Sequence, residues 1–265
     1  MTTIPPVSSP TPVGNRWVRP LTSSDPFGWL AQGYKDLITA PAISIAYGSV
    51  IFVLSVAMVG GLVSTGRDYI LFPAFAGFMV VGPILAIGLY EKSRRLEHGL
   101  PLGWSSIVMV RPRSGGQLLF TGVLLCLLMM LWMRAAVLIY ALFFGLMPFP
   151  GLDHIAPMLF TTAVGWAMLL VGTAVGGLFA AFSFAISAFS IPMLLDRDTD
   201  ALTAMGSSMA LVWTNLRVLL IWAAIVLVLF LASLVTGMLG LVVIYPLLGH
   251  ATWHAYRAVQ PGPAS

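Results

Sequence analysis

His250 and His254 come closest, by residue type and spacing, to a reactive site. Four residues apart on a helix, they share one face and could ligate a metal ion or grip the edge of a porphyrin. Two imidazoles leave a metal short of ligands, and no glutamate stands between them in an HExxH pattern. The other histidines, His98 and His154, fall on opposite sides of the membrane in the topology derived below. The alternative reading is that both rings sit at the end of the last span and bond to backbone or carboxylates. No cofactor is therefore expected, and haem or metal at His250 and His254 is the disfavoured option. The single cysteine, Cys126, excludes an internal disulfide and any thiolate-based zinc or iron–sulfur site within one chain. No P-loop, GxGxxG, GxSxG or CxxC spacing occurs, so no catalytic residue is expected and the chain is not read as an enzyme.

Other polar residues gather by position. Glu91, Arg94, Arg95, Asp196, Asp198, His254 and Arg257 all fall at the inner ends of apolar segments. A Glu91–Arg95 pair within one helix and an Asp196–cation pair across helices are expected, either as fixtures of helix ends or as a functional cluster. Arg134 follows about 18 residues after the start of the third apolar stretch. There it snorkels to the outer surface, or else lies deeper if the helix continues. Gly172, Gly176 and Ala180 form a small-xxx-small series that lets a neighbouring helix approach closely.

These residues must be positioned by apolar helices, because the composition leaves little else. The 265 residues are 59% hydrophobic and only 8% charged, and the mean hydropathy is +0.97. Soluble domains carry about a quarter charged residues, so this exterior must face lipid. Six stretches are long enough to cross a bilayer core: near 42–63, 71–90, 117–133, 161–185, 218–235 and 239–255. Residues 135–149 either extend the third span, to about 147, or lie at the outer interface. Residues 1–24, rich in Pro, Ser and Thr, read as a disordered tail, 25–258 as a single helical membrane domain, and 259–265 as a second short tail.

Eleven of the 13 basic residues lie on one side of this arrangement, leaving Arg67 across from them and Arg134 ambiguous. The positive-inside rule makes that side cytoplasmic and places both termini there. The basic residues are scattered beside span ends rather than clustered, so no nucleic-acid partner is expected.

The chain also repeats. Each pair of spans follows a short amphipathic segment: one after Asp25 and Pro26, with Phe27, Leu30, Ala31, Tyr34, Leu37 and Ile38 in a stripe; one from Leu102 to Val110; and one after Asp200, with Leu202, Met205, Met209, Val212, Trp213 and Leu216 in a stripe. PILAIGLYEKSR from Pro83 aligns with PLLGHATWHAYR from Pro246. The expectation is all-α: about six transmembrane helices in three hairpin units, each preceded by a cytoplasmic amphipathic helix.

The runs DPFGWLAQGYKDLITAPAISIAYG, FPAFAGFMVVGPILAIGLYEKSRRLEHG, FSFAISAFSIPMLLDRDTDALTAMGSS and YPLLGHATWHAYR resemble a bacterial family of predicted integral membrane proteins, domain of unknown function 2189. The likeness extends from about Asp25 to Arg257 and implies a multi-span protein of the bacterial inner membrane. Some relatives carry the label of a cytochrome c oxidase subunit. This sequence lacks the histidine set of a haem–copper oxidase, so the label implies at most an accessory role. The expected partners are the lipid bilayer and another membrane complex, including a respiratory one. A small-solute transporter or channel built from repeated hairpins is the alternative, and a haem- or metal-binding redox protein the third.

Overall fold

The computed structural model of the protein describes residues 21–145 and 149–260. The expected tails therefore lie outside the described residues, apart from 21–24 and 259–260. Every regular element among the described residues is helical. The order is α1 (Asp25–Ile38), α2 (Pro41–Ser64), α3 (Leu71–Leu85), α4 (Ile87–Glu97), α5 (Trp104–Val108), α6 (Gly115–Phe144), α7 (Leu152–Thr161), α8 (Ala163–Ser187), α9 (Ser190–Asp196), α10 (Ala201–Thr214), α11 (Leu216–Val235) and α12 (Leu241–Val259).

Five stretches are long and apolar enough to cross a membrane: Pro41–Ser64, Asp68–Glu97, Gly115–Phe144, Ala163–Asp196 and Leu216–Val235. The sixth expected span corresponds to α12, which is not among these five. It has 19 residues, about 28 Å of helix, but its second half carries His250, His254 and Arg257 and is buried inside the bundle. A helix surrounded by protein need not be as apolar as one facing lipid.

The expected hairpin units are present and close into a ring. Each amphipathic helix packs on the second span of the unit before it: α5 on α4, α10 on α8 and α9, and α1 on α12. First spans repeat the pattern, with α6 along α3 and α2 along α12. The third pair, α11 and α8, makes no comparable contact. At one end of the bundle α4, α9 and α12 converge, and Leu89, Tyr90, Ile191, Leu194, Leu195, Trp253 and Tyr256 fill the centre there. That end carries Lys92, Arg94, Arg95, Arg197 and Arg257, and is called the basic end below.

Glycines set the closest approaches. A Cβ at Gly33 would stand 2.6 Å from the backbone nitrogen of Ala251, which brings α1 hard against α12. Gly48 of α2 abuts the carbonyl oxygen of Val242, and Gly122 of α6 abuts Ile84 of α3. Small residues at helix crossings are the usual means of association in lipid, where apolar surface alone gives no drive.

Several expectations change. The second span breaks at Ala86, because Pro83 lies inside α3 and has no N–H to donate. The Gly82 and Leu85 carbonyls near the break accept hydrogen bonds from Tyr245 Oη (2.9 Å) and Tyr47 Oη (2.7 Å). The open question at residues 135–149 resolves as a helix extension as far as Phe144, since α6 is continuous for 30 residues; the expected end near 147 lies outside the described residues. The short helix α7 was not anticipated. The amphipathic stripes divide: Leu37 and Val212 are buried against neighbouring helices, and their other members are partly or wholly exposed. Pro26, Trp29, Gly33 and Leu37 are the buried residues of α1, while Phe27 and Tyr34 are 60% and 56% exposed. In α10, Ala204, Ser208 and Leu211 pack inward, and Leu202 and Trp213 are 67% and 78% exposed. The narrow faces seat against neighbouring helices because small side chains permit close contact. The bulky apolar and aromatic faces are left for the membrane interface.

Candidate functional site: a buried polar chain at the basic end

The candidate site is built where α1, α2, α4 and α12 meet. The turn between α1 and α2 passes through Ala40, whose φ of 53° is left-handed, and this exposes the last carbonyls of α1. Lys92, projecting from α4 with no exposed surface, closes that turn. Its ammonium donates to the carbonyl oxygens of Asp36 (2.9 Å) and Ala40 (3.2 Å) and to Ser44 Oγ (2.7 Å). A cation at a helix C-terminus is favoured by the dipole and by the unpaired carbonyls there.

From Ser44 a chain of hydrogen bonds runs through His250, also fully buried. Ser44 Oγ lies 2.9 Å from His250 Nε2, and Ser93 Oγ lies 2.8 Å from His250 Nδ1. Lys92 can only donate and the Asp36 carboxylate, bonded by Ser93, can only accept, which together fix the direction of the rest for a neutral ring. Ser44 receives the lysine proton and gives its own to His250 Nε2. His250 is then the tautomer protonated at Nδ1, donating to Ser93 Oγ, and the Ser93 proton is left for the Asp36 carboxylate. His254 Nε2 closes the chain at 2.8 Å from Asp36 Oδ2. Burial pushes the Asp36 carboxyl up, but the His254 and Ser93 hydrogen bonds and the nearby histidines outweigh it and hold the group below its ordinary range.

Asp36 and His254 open onto a cleft of about 780 Å³ that also includes Trp29, Gln32, Glu97 and Arg257. The expected polar cluster surrounds it. Glu91 accepts from Arg94 Nε at 2.8 Å and from Arg95 Nε at 2.7 Å, the second being the expected pair within one helix. Asp196 meets a cation across helices, Arg257, at 3.6 Å, and accepts from Tyr256 Oη at 3.2 Å. Arg257 also pairs with Glu97 at 2.9 Å, and Trp253 Nε1 donates to Glu97 at 3.0 Å. Among the described residues Asp198 receives a long bond, 3.5 Å, from Ser114 Oγ.

Of the expected residues, then, Glu91, Arg94, Arg95, Asp196, His254 and Arg257 stand together at the basic end. His250 and His254 share a helix but serve different partners, and a metal at either nitrogen of His250 would have to displace the serine bonded there. Among the described residues no group of three or more His, Cys, Asp and Glu side chains is placed to hold a metal ion. Arg134 is exposed on α6, about 29 Å along the helix from its start, where snorkelling reaches the far interface. The small-residue series on α8 is only partly a packing face. Gly176 meets the Trp132 ring at 3.0 Å, whereas nothing lies within 4 Å of a Cβ at Gly172. The correction follows from the ring: α11, the helix that would cover this side of α8, stands away from it.

Asp36, Ser44, Lys92, Ser93 and Glu97 were not singled out from the sequence. Lys92 read only as a topological charge. Its one available signal was its place between the apolar residues of a span and the arginines that follow. Ser44 and Ser93 are ordinary small polar residues until three helices bring them to one imidazole.

No curated protein and no solved structure matches the chain. A family model described as "Predicted integral membrane protein (DUF2189)" matches residues 71–196, which run from the start of α3 to the end of α9. The match covers the middle of the likeness read from sequence and leaves out the first and last helices. Over residues 71–196 this chain is therefore similar to the predicted integral membrane protein family DUF2189.

Proposed function

We propose that the protein is a non-catalytic accessory or assembly component of the bacterial inner membrane, with both termini in the cytoplasm, that binds another membrane complex, including a respiratory one. The observation that carries this reading is the state of α8. It belongs to the least covered of the five apolar stretches, and Gly172 and Gly177 have no neighbour within 4 Å of a built Cβ. A lipid-facing helix with uncovered small residues offers a second protein the close approach that drives association in a bilayer. The polar chain at the basic end supports the same reading, because every member is satisfied within the chain, as in a clamp.

Cysteine cross-linking in native membranes tests this. In a Cys126→Ser background, Gly172→Cys is expected to cross-link to one defined membrane protein that also co-purifies in fixed ratio. Leu231→Cys, on α11, serves as the control. Equal cross-linking from both positions, or none from Gly172→Cys, removes the reading.

A second reading, a small-solute transporter, is favoured by the cleft of about 780 Å³ that reaches Asp36 and His254 and by the buried Lys92–His250 chain behind it. Ionisable groups at membrane depth are characteristic of transport pathways. Proteoliposomes that show no proton or solute flux, with or without His250→Ala, count against it.

A further inference from the structure

The quasi-threefold ring has two sealed positions and one open one. Gly48 seats α2 against α12, and Gly122 and Gly77 seat α6 and α3 against one another. At the third position α11 and α8 stand apart, and a cavity of about 430 Å³ lies between them, floored by α3 and α12. Ligand sites of this kind run from about 300 to 1,000 Å³.

Its walls are apolar and aromatic, with Phe78, Trp132, Phe179, Trp222 and Phe230 among them, and no charged residue lines it. Six hydroxyl-bearing residues interrupt that surface: Thr173, Ser183, Tyr245 and Thr252, and two more that are deeply buried. Tyr90 and Ser187 line the cavity, and each residue is only 2% exposed. Among the described residues neither hydroxyl has a hydrogen-bond partner, although Tyr47 and Tyr245 nearby both find carbonyls. Neither oxygen is fully enclosed, since the fully buried polar atoms without a partner among the described residues are Ser190 Oγ and Gln260 Nε2; both oxygens are open to a molecule that supplies the bond.

We infer that the space between α8 and α11 is a binding site for a neutral, lipid-soluble molecule with a hydrocarbon body and one hydroxyl or carbonyl head, entering sideways from the bilayer. The body packs on the aromatic walls, and the head bonds to Tyr90 and Ser187. A charged headgroup is excluded because it would lie unpaired in an apolar space. The mouth fits entry from lipid, since Gly177, Ala180 and Leu227 at its rim are exposed on lipid-facing spans. Gly177 belongs both to this rim and to the face of α8 offered to a partner protein, so a partner seated there would cover the mouth, and the cavity is tested on the chain alone.

The test uses the full chain in nanodiscs and a monoacylglycerol bearing a diazirine in its acyl chain. Photolabelling is expected on Met79, Phe179 and Val226, and excess unlabelled monoacylglycerol should abolish it. Ala180→Trp, which fills the cavity, should reduce that labelling about fivefold or more. Tyr90→Phe combined with Ser187→Ala keeps the shape and removes the hydroxyls. It should erase the preference for the monoacylglycerol over a diazirine alkane of equal length. That preference is expected near fivefold, because one net hydrogen bond of about 1 kcal/mol corresponds to that ratio. Labelling that does not saturate and spreads evenly to Leu170 and Leu231 would overturn the site. So would full labelling of a folded Ala180→Trp protein. If Ala180→Trp does not fold, saturation and the hydroxyl-free variant decide, and an unchanged preference in that variant overturns the assignment.

Discussion

The Lys92 ammonium lies 2.7 Å from the Ser44 hydroxyl, and with that contact α4 holds both α2 and the end of α1. The same nitrogen serves the carbonyls of Asp36 and Ala40, so its removal strands the Asp36 carbonyl and leaves Ala40 with only the Ile43 N–H and Ser44 with only His250. Lys92→Met keeps the length and the apolar stem but not the donors. Leaving buried acceptors unpaired costs about 1–3 kcal/mol each before relaxation. With partial rescue by water, a total loss of about 2–4 kcal/mol is expected. Reversible unfolding in mixed micelles would read this directly. A loss below about 0.5 kcal/mol would mean that the turn at Ala40 does not need its cation.

Acid should loosen the same junction through Asp36. Its carboxyl is held below the ordinary value of 3.8 despite burial, because His254 and Ser93 bond to the charged form. A depressed value in the folded state means the ionised group stabilises the fold. That contribution is fully present above the unfolded value and is lost as pH falls through the folded one. Asp36→Asn removes the contribution at every pH. Wild-type stability should therefore converge on that of the variant as the solution is taken below about pH 4. Parallel curves down to pH 3 would show that Asp36 is not the group responsible.

Glycine positions should respond in opposite ways according to what faces them. Gly33→Val forces a side chain onto the Ala251 backbone, and backbone cannot step aside as a flexible side chain would. Overpacking of this kind costs about 1–3 kcal/mol, or displaces the helix altogether. Gly172→Ala adds a methyl to open space and should be neutral, or stabilising by up to about 1 kcal/mol through helix propensity. Thermal midpoints of the two variants in one detergent give the comparison. Equal losses would contradict the packing described for α1 on α12.

The helices were legible in the sequence because apolar runs bounded by Arg, Pro and Gly leave little choice of structure. The three-unit repeat was legible for the same reason, through Pro83 and Pro246. The stripes of α1 and α10 were legible, but which of their members protein covers was not. Hydrophobic periodicity marks a stripe such as Phe27, Tyr34 and Ile38 but cannot say whether protein or membrane covers it. The residues that do face protein, Gly33, Ala204 and Ser208, are weakly apolar and were passed over. At the basic end the charges were legible because ion pairs such as Glu91–Arg95 are local in sequence. The Lys92–Ser44–His250 chain was not, since its members come from helices far apart along the chain. Its identity depends on which glycines let those helices touch.

Cys126 offers a check on the premise beneath all of this. It is exposed on α6, about 17 Å along the helix from Gly115 and thus near the middle of a bilayer core of about 30 Å. A polar, water-soluble reagent does not enter hydrocarbon, so a thiol at that depth is out of its reach. In intact membranes a water-soluble maleimide should therefore leave Cys126 unlabelled, even in vesicles opened to both sides. Dissolving the same membranes in SDS should give one label per chain. As a positive control, Leu100→Cys in a Cys126→Ser background places the thiol in the exposed loop after α4, and it should label without detergent. Rapid labelling of Cys126 in untreated membranes would place α6 in water, and the lipid-facing assignment of the helices around it would fall with it.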